Sequence, residues 1–259
     1  MASSAAAAAA ALAKGAKLID CSHTITPQTL TFAQVYNLLP GVNGEKTQGF
    51  TQGATYDTRT ADGAGFKKCI YCLPCDVGTH IDSPSHWFPG KRDISQLTLD
   101  ELTAPGAVVD VTHKITSATY DYALTVADLE EFEKKFGQIP ARALVVCKTG
   151  WGERDISSTE VYVNGGHFPG FSPEAATWLL EKDIVGIGID TASLDPGTHA
   201  GGDFPVHKII LGADKYQIEN MKLSDVPEGL GSVFISLPLK IEGGPEAETR
   251  VMAIVSSDY

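Results

Sequence analysis

The chain has 259 residues, 43% hydrophobic and 20% charged, a balance ordinary for a soluble globular protein able to bury a sizeable core. Its 32 acidic residues against 20 Lys plus Arg give a formal charge of −12, which repels nucleic acid and anionic membrane and suits a soluble enzyme or a cation binder. No apolar run approaches the roughly 18 residues of a membrane helix, and five cysteines, an odd number for a secreted disulfide framework, point to a reducing, cytoplasmic setting.

In chain order, residues 1–17 (MASSAAAAAAALAKGAK) read as an Ala-rich, disordered tail. Lys14 and Lys17 follow the apolar run instead of preceding it, which argues against a signal peptide. Residues 18–26 (LIDCSHTIT) alternate as a first strand. Residues 27–65, rich in Gly, Thr and Gln around the apolar group FAQVYNLL, read as a surface excursion or partner-binding arm. Residues 66–75 (FKKCIYCLPC) predict a strand leading into a polar loop, and residues 94–102 a short helix or turn. Strands are predicted at 107–112 (AVVDVT), 143–148 (ALVVCK) and 184–190 (IVGIGID). Helices are predicted over 125–136, with a Thr cap and a stop at Gly137, and from Ser172 through Glu181, with Pro173 at the first position. Residues 234–241 and 250–256 are closing strands. Strands and helices mix irregularly with no linker between residues 18 and 259. The pattern predicts one α/β domain, a mixed sheet or open barrel flanked by a few helices. Polar clusters follow the strands at Asp76, Thr149 and Asp190, and strand ends are where such folds carry sites.

The segment DVGTHIDSPSHWFPG, residues 76–90, places Asp76, His80, Asp82 and His86 within eleven residues. Imidazole and carboxylate are the donors that hold Zn or Mn. His80 and Asp82, two apart, face the same way if the stretch is extended. Gly78 permits a tight turn and Pro84 stiffens the exit. Residues 195–207 (DPGTHAGGDFPVH) echo this pattern, as a duplication around one site or as shared loop composition. On either reading His207 is a candidate ligand, and the next acids are Asp214 and Glu219. Trp87 and Phe88 form an aromatic wall for a flat substrate or pack ordinarily. His23 lines a site or caps a strand, and His113 and His167 read as surface residues. Cys69, Cys72 and Cys75 form C-x-x-C-x-x-C. With no fourth ligand at fitting spacing, small buried core positions account for them better than a zinc or cluster site.

These motifs resemble the cyclase family of metal-dependent hydrolases, which includes bacterial-type kynurenine formamidases and isatin hydrolases. Residues 76–86 (DVGTHIDSPSH) are similar to the signature H-x-G-T-H-x-D-x-P-x-H. Further similarity lies in LIDCSH, in residues 86–111, in TGW at 149–151, in FPGFSPEAATWL at 168–179, in GIGIDTASLD at 186–195 and in residues 204–221. The resemblance implies a swivelling β/β/α-type single domain over residues 18–259, a homodimer or higher homo-oligomer, and one or two Mn or Zn ions. It also implies metal ligands at Asp76, His80, Asp82, His207 and Glu219, with Asp82 bridging, and an acid/base at His86. His23, Trp87 and Phe88 are the candidate substrate contacts. The implied activity is hydrolysis of a small amide, formamide or cyclic amide, at a carbon–nitrogen bond other than a peptide, or of a lactone. One departure stands out: the signature's first His is Asp76 here. That carboxylate shifts preference towards Mn or Mg or marks a degenerate site that binds without turnover.

Overall fold

The computed structural model describes residues 4–31, 50–199 and 202–256. The expected apolar group FAQVYNLL therefore lies outside the described residues. The Ala-rich stretch is not a disordered tail over its described part. It forms helix α1, Ser4–Ala13, because Ala has the highest helix propensity. Its buried Ala8 packs with Val233 and Ile254.

Strand β1 is Lys17–Asp20, shorter than expected, and only a bridge from Ser22 to Met221 continues it. Next come the hairpin strands β2 (Thr51–Asp57) and β3 (Lys67–Cys72), then β4 (His80–Asp82). Helix α2 (Leu99–Leu102) leads into β5 (Thr103–Asp110) and β6 (Ala123–Leu124). Helix α3 (Val126–Phe136) starts at the Thr125 cap and stops at Gly137, as the sequence predicts. Strands β7 (Leu144–Lys148) and β8 (Gly170–Phe171) follow, then α4 (Pro173–Leu180), β9 (Gly186–Ile189), α5 (Pro205–Gly212), β10 (Tyr216–Glu219), β11 (Gly229–Pro238) and β12 (Glu246–Val255).

Seven strands close a mixed barrel in the order β12-β11-β5-β7-β9-β10-β4, and β4 pairs back onto β12. Strands β5, β7, β9 and β10 run parallel, and the rest are antiparallel. Strand β12 works twice on one edge. Its first half, Glu246–Glu248, pairs with β4, and its second half, from Met252, pairs with β1.

Alternation sorts the wall. Ala104 and Val108 of β5, Leu144 and Val146 of β7, Ile81 of β4, Ile218 of β10 and Ala247 of β12 share the interior core. Ala107, Val109, Val145, Cys147, Ile187 and Ile189 face outward into a second core formed with α3, α4 and α5.

The three spaced cysteines are not core residues. Cys69 is half-buried, and Cys72 and Cys75 are exposed. Cys69 and Cys72 lie on β3, which among the described residues pairs with β2 alone, in a separate two-stranded sheet, and Cys75 follows on the turn after it. The sequence pattern marks a strand but cannot tell whether anything covers it.

Candidate metal centre

The polar residues of the signature lie on a three-strand ribbon. In β10-β4-β12, Glu219 pairs with His80 and His80 with Glu248; one step along, Gln217 pairs with Asp82 and Asp82 with Glu246. Directly paired residues project to the same face. Since Ile81, Ile218 and Ala247 point into the barrel, these two rows stand on its outer wall. The triplets His-Ile-Asp, Gln-Ile-Glu and Glu-Ala-Glu are one polar-apolar-polar pattern written three times.

Two further pieces roof the ribbon. A short 3-10 turn, Pro84–His86, delivers His86. Helix α5, begun by Pro205, delivers His207. The echo of residues 76–86 in 195–207 is one of composition. His80 is on a strand, whereas Gly197–His199 is a 3-10 turn and His207 is helical.

Four buried donors form a ring. His80 Nε2 lies 3.5 Å from Asp82 Oδ1 and 3.4 Å from Glu219 Oε2. His207 Nε2 lies 3.7 Å from Asp82 Oδ2 and 3.2 Å from Glu219 Oε1. Donors sharing one ion, at bonds of about 2.0–2.2 Å, stand about 3–3.5 Å apart, so the spacing fits.

Each imidazole is oriented from behind. His80 Nδ1 is 2.9 Å from the Gly78 carbonyl, and His207 Nδ1 is 2.6 Å from Asp195 Oδ2. A donated Nδ1–H leaves the Nε2 lone pair turned to the ring, the usual arrangement of a metal-binding histidine. Gly78, at φ +69, makes the turn that aims its carbonyl at His80, and the Asn220 side-chain amide donates to that same oxygen at 3.0 Å. Asp195 also accepts the backbone N–H groups of Val206 and His207, which fixes it at the start of α5. Gln217 donates to Asp82 Oδ2 at 2.8 Å, while buried Asp82 Oδ1 has no hydrogen-bond partner among the described residues. A carboxylate oxygen orphaned in the interior is costly, and a cation beside it removes the cost. The donor set therefore fits a divalent ion.

The charges bear this out. Burial disfavours a charged imidazole, but the carboxylates of Glu219 and Asp82 outweigh it and hold His80 well above its ordinary value. Burial likewise opposes His207, which Asp195 and Glu219 raise to about 10. Glu219 is lowered to about 2 against burial by the two histidines. Burial, and then the charge of Asp82, push Glu246 up.

The structure joins His80, Asp82, His207 and Glu219. It also sets a ring nitrogen of His86 within 4.8 Å of donor atoms of Asp82 and His207. Asp76 is in neither of the two groups of convergent donors, Asp82–His86–His207 and His80–Asp82–Glu246. It sits half-buried on the turn before β4, with its charge felt at Cys75 and Glu248. Trp87 joins an aromatic cluster, its ring centroid 5.9 Å from His207 and 5.7 Å from Phe204. Phe88 packs at Gly212, where an added Cβ would meet its ring at 3.2 Å. His23 lines a cavity of about 480 Å³ beside Thr79 and Glu248, and its Nε2 has no hydrogen-bond partner. Asp214 lies away from the ring, bonded to Arg92. Sequence reasoning gave no role to Asp195, Gln217, Glu246 or Glu248. For Gln217, Glu246 and Glu248 the polar-apolar-polar alternation is the local sign; Asp195 lies outside it.

The cyclase family model ("Putative cyclase") matches residues 19–196. The isatin hydrolase of Roseibium aggregatum is 31% identical over 252 residues, 92% of each chain. The kynurenine formamidase of Salinibacter ruber is 26% identical over 235 residues, 91% of this chain and 96% of that one. Isatin hydrolase A from Ralstonia solanacearum superposes with a TM-score of 0.83 at 28% identity, covering 99% of this chain and 98% of that one.

Proposed function

The chain belongs to the cyclase family, and we propose that it is a metal-dependent hydrolase of a small, flat amide, formamide or cyclic amide. The observation that carries this reading is the ring of His80, Asp82, His207 and Glu219 with its orphaned Asp82 oxygen. These four residues would hold Mn or Zn, as one ion or two. A divalent ion there supplies a Lewis acid for a carbonyl oxygen and acidifies water towards neutrality. The chain's own residues do the rest. Gly78 and Asp195 orient the imidazoles. Trp87 and Phe204 give a planar, apolar side to the site, which favours an aromatic substrate and excludes water. His86, with a side chain 29% exposed, is reachable from solvent and stands 3.3 Å from Glu246 Oε1. In the reaction water adds to the carbonyl carbon, the C–N bond breaks, and His86 delivers a proton to the leaving nitrogen. The products are a carboxylate and an amine.

The relatives named isatin hydrolase and kynurenine formamidase make isatin and N-formylkynurenine the first substrates to assay. Hydrolysis of either, abolished by chelator and restored by Mn or Zn, supports the reading; hydrolysis that survives complete metal removal sinks it. A second reading, binding without turnover, draws on the place of Asp76 outside the donor groups. Metal uptake with no hydrolysis across an amide and lactone panel would favour it. A second copy of this chain is the proposed partner, since the β2–β3 hairpin exposes Tyr56, Ile70 and Tyr71. Light scattering tests that. Five free cysteines support a reducing, cytoplasmic setting.

A further inference from the structure

We propose that Glu246 is a metal ligand of this protein, in the place that the family signature gives to its first histidine and this chain gives to Asp76. Three observations meet here. The first is register: Glu246 of β12 pairs directly with Asp82 of β4, so both side chains rise from the same face of the ribbon. The second is convergence. One donor atom each from His80, Asp82 and Glu246 lie within 4.8 Å of one another, whereas Asp76 enters no such group among the described residues. The third is the orphan: Asp82 is 1% exposed, and its Oδ1, the oxygen on the His80 side, has no hydrogen-bond partner among the described residues.

The Asp82 carboxylate thus has two differently furnished sides. Oδ2 faces His207 and receives the Gln217 amide. Oδ1 faces His80 and is left for a cation. Glu246 completes that side as a hard oxygen donor, which selects Mn or Mg over Zn. It is also held for the task. The Cys75 thiol donates to Glu246 Oε2 at 3.0 Å, and His86 Nδ1 stands 3.3 Å from Oε1. A carboxylate braced by a neighbouring donor is what a fixed ligand requires. Asp76 lies on the turn upstream of β4, six residues before Asp82, and outside both groups of convergent donors among the described residues. The ribbon supplies the missing ligand from across the barrel seam.

This inference rests on the metal-dependent reading above, and its test separates the two. Metal-stripped wild type, Glu246→Gln and Asp76→Asn are titrated with Mn²⁺, with bound and free ion followed by electron paramagnetic resonance and calorimetry. Glu246→Gln should lose one Mn²⁺ per chain or bind at least tenfold more weakly, and Asp76→Asn should shift affinity less than threefold. Glu246→Asp, which keeps the donor type, should recover part of the loss. Circular dichroism of each stripped variant shows that the fold persists. Wild-type stoichiometry and affinity in Glu246→Gln would overturn the assignment of Glu246 alone. A larger loss in Asp76→Asn than in Glu246→Gln would overturn it in favour of Asp76. A wild-type chain that takes up no Mn²⁺, Zn²⁺ or Mg²⁺ would overturn the metal-dependent reading itself.

Discussion

On the arc β5-β7-β9 the outward residues are Ala107, Val109, Val145, Cys147, Ile187 and Ile189, sealed under helices. On the arc β10-β4-β12 the outward residues are Gln217, Glu219, His80, Asp82, Glu246 and Glu248. Both arcs belong to one wall and obey one alternation, with apolar side chains turned inward throughout. The interior face is therefore spent on stability around the whole barrel. The exterior face is free to differ, and its chemistry follows what covers it. An apolar helical roof takes Val and Ile; a roof that brings His207 and His86 takes carboxylates. A charged outer arc is tolerable only because cations or protons neutralise it.

The largest expected effect lies on the charged arc. Replacing His86 by Ala should lower kcat by about 10²- to 10⁴-fold while metal content stays unchanged; steady-state kinetics with metal analysis checks this. A pH series probes the same arc without metal. His80 and His207 are raised in the folded chain, so their contribution is complete below the ordinary imidazole value and lost as pH rises. The window runs from 6.5 up to about 10 for His207. Denaturant melts in chelator should show stability falling across it, and saturating metal should flatten the fall, because metal binding replaces those protons. The apolar arc should respond the opposite way to charge. Val145→Asp places a carboxylate on a fully buried outward position with no cation near, and should cost about 3 kcal/mol or more in the same melts. The mildest change is Asp195→Asn, which keeps an acceptor for the backbone of α5 but removes the charge behind His207. Mn²⁺ affinity should drop about 10- to 100-fold. If Val145→Asp were neutral, or Asp195→Asn left affinity intact, the contrast between the arcs would fail.

The apolar arc was the easier to read. Continuous runs such as ALVVCK announce buried strands, and Thr125 and Gly137 bracket α3 as expected. On the charged arc the candidate ligands close in sequence, His80 and Asp82, are visible by spacing alone. Glu246 and Glu248 are not, because their relation to β4 is a pairing across more than 160 residues that no local pattern encodes. Asp195 was hidden in a Gly- and Pro-rich stretch that reads as loop, although Pro205 marks the start of α5. Cys69, Cys72 and Cys75 show the converse: the local pattern marks a strand, but among the described residues nothing buries that hairpin.

The double duty of β12 has a consequence for biosynthesis. It is the last strand of the barrel to emerge from the ribosome, and the seam it zips to β4 carries Glu246 and Glu248. Synthesis is vectorial and slow, at about 5–20 residues per second, so every earlier strand waits on a half-open curl whose acidic rim lacks its far bank. Closure of the barrel is thereby deferred until β12 has been made, and a transcript truncated before codon 246 would yield a chain that cannot shut the seam.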